Sequence, residues 1–179
     1  VWLAFLHIAG IPYMVGSALL WTAASAVLVL AVSPFIKKNW ARLFLYAGLL
    51  YNPAVWAQFS TRIYRDNIFP SLCMLFFGCV LAVGLRYKQP VKSWIGWLIG
   101  YGVSFGLVYL SREDGIWVLP FALIAFIVLV VLWAVEKDKG IIKRVIALCL
   151  PFVLSAGVIC SYCYMNYLHY GRFIVSDFT

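Results

Sequence analysis

The sequence predicts an all-α fold, a polytopic transmembrane bundle of about six spanning helices, and three observations predict it. Of 179 residues, 65% are hydrophobic and only 11% charged, whereas ordinary globular chains carry about 45–50% apolar and about 25% charged residues. A soluble domain of this length could not hide so much apolar surface, so the excess must face lipid. The apolar residues also fall into runs of about 20, the length an α-helix needs to cross a bilayer. Finally, Lys and Arg gather in every second connection between the runs.

The runs place spans at about 12–36, 40–59, 67–85, 93–110, 116–135 and 141–167, read as one bundle over 1–179 with no soluble domain. Helices are the expected form, because in lipid only a helix or a closed barrel satisfies every backbone group. The runs lack the alternating ten-residue pattern of barrel strands. Residues 1–9 are apolar but too short to span, and they lack the basic leader and cleavage site of a signal peptide. They read as an interfacial segment or the tail of an earlier helix. The ends, Val1 and Val175 to Thr179, read as cuts within a longer protein.

Charge sets the expected topology. The first connection holds Lys37, Lys38 and Arg42, the third Arg86, Lys88 and Lys92, and the fifth Lys137, Lys139, Lys143 and Arg144. With Arg62 and Arg65 in the second, Arg112 in the fourth and Arg172 in the tail, these account for all 14 basic residues. The positive-inside rule puts the odd connections in the cytoplasm. The second, the fourth and the tail then face outward, carrying Asp66, Glu113, Asp114 and Asp177. The net charge of +8 is thus explained by topology. No basic face or reading module suggests nucleic acid as a partner. The lipid bilayer is the expected one.

Proline, glycine and aromatic residues add detail. Pro53, Pro120 and Pro151 fall within spans, where each removes a backbone donor, and Pro70 falls in a first turn, where proline is welcome. In the fourth span Gly96 and Gly100 form one small-xxx-small pair and Gly102 and Gly106 another. At about 100° per residue the pairs face nearly opposite directions, which predicts close helix approach on both sides. Trp40, Tyr87, Trp94, Trp97 and Trp133 near inner ends, and Trp56, Tyr109, Trp117, Tyr164, Tyr167 and Tyr170 near outer ends, fit aromatic belts.

Little of the chain suggests buried chemistry. No Asp, Glu, Lys or Arg lies mid-span, where proton-coupled carriers place them. HExxH and GxSxG are absent, and His7 and His169 sit at segment ends. All five Cys (Cys73, Cys79, Cys149, Cys160 and Cys163) lie in apolar segments, and the Cys160-x-x-Cys163 pair has no second pair, so packing is the reading taken. No metal ligand set is assigned.

The outward connections are richer. In Ser60-Thr61-Arg62-Ile63-Tyr64-Arg65-Asp66-Asn67, a helix would put Arg62, Arg65 and Asp66 on one face at i, i+3 and i+4. Two guanidinium forks beside a carboxylate suit a phosphate bearing a hydroxylated group; the alternative is a self-neutralising solvated turn. In Ser111-Arg112-Glu113-Asp114-Gly115, the acids complement a helix N-terminus, and Gly115 can take a left-handed turn cheaply. The alternative is a second substrate patch, with Arg112 on phosphate and an acid on a sugar hydroxyl or metal. Tyr162, Tyr164, Asn166, Tyr167, His169 and Tyr170 could stack on sugar faces or belong to the belt.

Taken in order, Asn52-Pro53, Arg62-x-x-Arg65-Asp66, the glycine-rich span ending in Ser111-Arg112-Glu113-Asp114-Gly115-Ile116-Trp117-x-x-Pro120, and Asn166-Tyr167-x-x-Tyr170-Gly171 resemble the GT-C integral membrane glycosyltransferases. The similarity is to bacterial relatives of the protein O-mannosyltransferases and lipid A aminoarabinose transferases. It spans roughly residues 10–175, through loose motifs whose order and spacing carry it. The resemblance implies transfer of a sugar from a polyprenyl-phosphate carrier to an acceptor on the extracytoplasmic face, with inversion. It implies Arg62, Arg65 and Arg112 as carrier-phosphate ligands and Asp66, Glu113 and Asp114 as polar support for sugar or acceptor. Some relatives use a divalent metal. The family's catalytic acid follows its first membrane helix, and no matching loop occurs here, so it is expected upstream of Val1. Two alternatives remain, a lipid-linked substrate carrier or flippase and a structural assembly subunit. A carrier should show broken helices in two related halves, and no such symmetry is visible.

Overall fold

A computed structural model describes residues 2–53, 55, 67–137 and 140–175, without the side chains of Ala4, Glu113 and Asp114. Apolar runs become helices, and no strand occurs among the described residues. They are α1 (Trp2–Ile8), α2 (Tyr13–Val32), α3 (Asn39–Leu50), α4 (Phe69–Leu85), α5 (Ile95–Ser111), α6 (Leu119–Val135) and α7 (Ile141–Tyr170). Short 3-10 turns at Val91–Ser93 and Glu113–Val118 lead into α5 and α6.

Side-chain pairings give the helix directions. Ser25 of α2 meets Met74 of α4 at 3.8 Å, Gly78 abuts Val27 and Leu28, and Arg86 reaches Leu30 and Ala31. Residue numbers rise together, so α2 and α4 are parallel. Gly102 abuts Pro151, and Gly106 abuts Ser155 and Val158, so α5 and α7 are parallel as well. Between α2 and α3 the numbers run oppositely, from Ser33 with Arg42 to Trp21 with Leu49. The chain therefore alternates direction, and the lysine-bearing connections collect at one end of the bundle. The opposite end gathers the starts of α2 and α4 and the turn between α5 and α6.

Lengths qualify the six-span reading. Among the described residues, three helical runs are long and apolar enough to cross a membrane: Tyr13–Val32, Gly115–Val135 and Ile141–Tyr170. The 17-residue α4 and α5 rise about 25 Å at 1.5 Å per residue, short of a hydrocarbon core of about 30 Å. The second expected span is described only as the 12-residue α3 and its exit at Tyr51 to Pro53. It breaks for a local reason. The Leu49 carbonyl would accept from the amide four residues on, but that residue is Pro53, which has no N–H. The Trp21 indole Nε1 donates to the Leu49 oxygen instead, at 3.2 Å. Trp21→Phe keeps the ring but strands this carbonyl, so a loss of about 1–3 kcal/mol is expected, readable as a lowered midpoint of thermal unfolding in micelles. An unchanged midpoint would show that another donor serves Leu49.

Other expectations are corrected. Pro120 sits in the first turn of α6, where a missing amide costs nothing, so it does not distort a span; Pro70 does the same in α4. Pro151 does lie inside its helix. Trp94 and Trp133 do not form an aromatic belt. Both are fully buried and stack with centroids 6.0 Å apart, each indole donating to the α4–α5 connection, Trp94 to Gln89 O at 3.2 Å and Trp133 to Tyr87 O at 3.1 Å. The glycine pairs behave differently from one another. A Cβ on Gly100 would meet Cys79 Sγ of α4 at 2.9 Å, and one on Gly102 would meet Pro151 O of α7 at 2.7 Å, while Gly96 faces open space. Two apolar centres result, one around Phe76, Tyr101 and Phe105, the other around Trp94, Leu98 and Trp133.

At the lysine-rich end, arginine closes the helix termini. Arg86 Nη1 donates to Ala31 O at 3.0 Å and Ala82 O at 3.2 Å, and Nη2 to Leu30 O at 2.9 Å. All three lie in the last turns of α2 and α4, where a carbonyl has no amide four residues on within its helix; Leu30 O also accepts from the Ser33 amide at 3.3 Å. Its guanidinium also lies 5.0 Å from the Trp97 ring centre. Burial pulls its pKa down, but an arginine remains charged. Arg86→Met keeps the stem and removes every donor, so about 2–4 kcal/mol should be lost. Arg86→Lys should recover only part, since a single ammonium cannot fork to both helices. Equal midpoints for the Lys variant and the parent would refute the fork.

Candidate functional site

The chain reaches the end opposite the lysines through the start of α4 and the turn after α5. Arg112 caps α5 in an extended conformation (φ −143°, ψ 148°), which ends that helix and swings the chain into the turn Glu113–Val118. Its guanidinium lies 5.1 Å from the centre of the Phe69 ring on α4, a cation–π separation. Trp117 completes the ledge, 6.2 Å from Phe69, 6.3 Å from Phe77 and 5.7 Å from Phe121. Arg112 thus sits against the first residues of α4, and Phe69 follows Asp66 by three residues in the sequence.

Gly115 does not use its left-handed freedom. It is not among the residues with positive φ. A Cβ there would meet Tyr109 Cα and Val108 O at 2.7 Å, so glycine is needed for space, where the turn lies on the end of α5. Arg62, Arg65 and Asp66 lie outside the described residues, as do the Glu113 and Asp114 side chains. The structure therefore places Arg112 and the backbone of Glu113 and Asp114 at this end.

Residues that the sequence reading passed over lie here too. Asn67, Ser17 and Ser71 are buried near the starts of α4 and α2. Ser17 Oγ, Ser71 Oγ and the Trp2 indole Nε1 find no hydrogen-bond partner among the described residues. Each such group costs about 1–3 kcal/mol when it stays unsatisfied. Their only signal in the sequence was polarity within an apolar run.

The tyrosine-rich α7 stops at Gly171. Gly171 takes the left-handed conformation at φ +69°, and its amide donates to Tyr167 O at 2.9 Å, a standard helix stop. Asn166 Nδ2 donates to Ile174 O at 2.9 Å, holding the chain that follows. Tyr164, Tyr167 and Tyr170 are exposed. Cys160 is exposed and Cys163 buried, both as free thiols, and no group of three metal-ligating side chains occurs among the described residues.

Compared with known proteins, the chain matches no family model, no curated protein and no solved structure. Residue chemistry and geometry are therefore the basis for a functional reading.

Proposed function

We propose that this chain is the membrane-embedded part of a glycosyltransferase that takes a sugar from a polyprenyl-phosphate carrier and passes it to an acceptor at the outer face of a bacterial inner membrane. One observation supports the reading above the others: Arg112 is held on Phe69, 5.1 Å from the ring centre, at the end away from the lysine-bearing connections. A lipid-borne phosphate in that leaflet meets a guanidinium already oriented by an aromatic ring, beside the apolar ledge of Phe69 and Trp117. Arg62 and Arg65 are assigned to the same phosphate, and Asp66, Glu113 and Asp114 to hydroxyls of the sugar or acceptor.

The chemistry asked of these residues is electrostatic. As the anomeric carbon leaves the carrier, negative charge grows on the phosphate, and preorganised guanidinium groups stabilise it. A carboxylate, proposed to lie upstream of Val1, accepts the proton of the attacking hydroxyl. Membranes bearing the complete protein, incubated with radiolabelled polyprenyl-phosphate sugars, should move label into an acceptor fraction. A panel of such donors that yields no transfer, with the protein inserted and folded, overturns the proposal.

A further inference from the structure

The cations at the lysine-rich end divide by residue type. Arg42, Arg86 and Arg144 are partly buried and donate to main-chain carbonyls: Arg42 Nε to Ile36 O at 2.6 Å and Nη2 to Ser33 O at 3.0 Å, Arg86 to three carbonyls on α2 and α4, and Arg144 Nη1 to Tyr87 O. The lysines described here are exposed. Lys88 pairs with Glu136 at 3.0 Å, and that hydrogen bond raises its pKa. Glu136 also accepts from the Tyr87 hydroxyl at 2.9 Å. Lys37, Lys38, Lys92, Lys137 and Lys143 make no ion pair among the described residues.

We propose that these five lysines, gathered at one end of the bundle, recognise the head groups of anionic phospholipids in the leaflet at this end. Charge alone would suit any polyanion; the apolar surface beside the lysines selects a lipid. Trp40 is 60% exposed, with the Lys38 ammonium 5.8 Å from its ring centre, and Phe44 stands against Trp40 at 5.9 Å, itself exposed. Ile142 and Ile146 are exposed beside Lys143, and Ile95 lies just past Lys92. A lipid phosphate at each ammonium would lay its acyl chains along these side chains, which a soluble anion cannot do. Lysine suits this role because its ammonium is a mobile point charge, whereas the forked arginines are fixed on backbone. This recognition stands independently of any transferase activity.

The test uses the full chain in neutral micelles, titrated with phosphatidylglycerol or phosphatidylcholine while thermal unfolding is followed. Phosphatidylglycerol should raise the midpoint well above phosphatidylcholine, and 0.5 M salt should remove the difference. Replacing Lys37 and Lys38 together with Gln should weaken the apparent phosphatidylglycerol affinity by roughly 25-fold, at about fivefold per cation near an anionic surface, with the phosphatidylcholine midpoint unmoved. Equal stabilisation by the two lipids, or an effect that persists in high salt, overturns the proposal. So does an equal shift with polyglutamate, which would point to an acidic soluble partner. Should the double variant not fold, the salt and lipid comparisons on the parent chain decide alone.

Discussion

Gly102→Leu is expected to abolish the packed bundle. A Cβ at this position meets Pro151 O at 2.7 Å, Leu154 Cβ at 2.8 Å and Pro151 Cα at 2.9 Å. Two of these are backbone atoms of α7, which cannot rotate away as a side-chain tip can. Leucine would push α5 and α7 apart along their shared length, and the Phe105 and Phe152 rings, now 6.3 Å apart, would lose their contact. Gly102→Ala should cost about 1–3 kcal/mol from overpacking, offset in part by the about 1 kcal/mol that alanine gains over glycine in a helix. Gly96→Ala has open space around it, so it should raise stability by up to about 1 kcal/mol. Thermal or denaturant unfolding in micelles ranks the three. Should Gly102→Leu unfold at the parent midpoint, the close α5–α7 approach is wrong.

That contrast shows how far the sequence could be read. Helices at 100° per residue put Gly102 and Gly106 on one face and Gly96 and Gly100 on nearly the opposite one, and the neighbours of Gly100 and Gly102 do lie on different helices. Alternating charge likewise anticipated that Arg42, Arg86 and Arg144 would share an end of the bundle. Both inferences need only periodicity and chain order. What the sequence withheld depends on long-range partners. Nothing local distinguishes Trp133, stacked in the core on Trp94, from Trp40, which is exposed at the same end. Nor does a count of basic residues tell that Arg86 ties two helix ends while Lys92 faces outward. Pro53 announced a break, but not that Trp21, 28 positions from Leu49, would supply the missing donor. At the candidate site, composition drew attention to Arg112, yet its seat on Phe69 became visible only once α4 and the turn after α5 were brought together.

That seat shapes the second large effect. In the complete protein, Arg112→Ala should lower sugar transfer by about 10²–10³-fold, the scale on which removing one preorganised donor to a developing anion acts, while membrane insertion persists. Arg65→Ala should do the same if both guanidinium groups hold the carrier phosphate. Loss of activity alone would be ambiguous, because Arg112 also packs on Phe69 at 5.1 Å and its removal could loosen the ledge with Trp117. Two companions separate the causes. Phe69→Leu removes the aromatic face but leaves the guanidinium, so it should retain transfer within about thirtyfold, since a partly buried cation–π contact contributes about 0.5–2 kcal/mol. Arg112→Lys keeps the charge but loses the planar fork, so it should sit between the parent and Arg112→Ala, with the deficit in kcat rather than in carrier binding if the fork acts on charge that develops during departure. Unchanged kinetics in both Arg65→Ala and Arg112→Ala would remove the phosphate assignment. A Phe69→Leu variant as inactive as Arg112→Ala would mean that the ledge is needed for its shape, and that the charge on Arg112 is incidental.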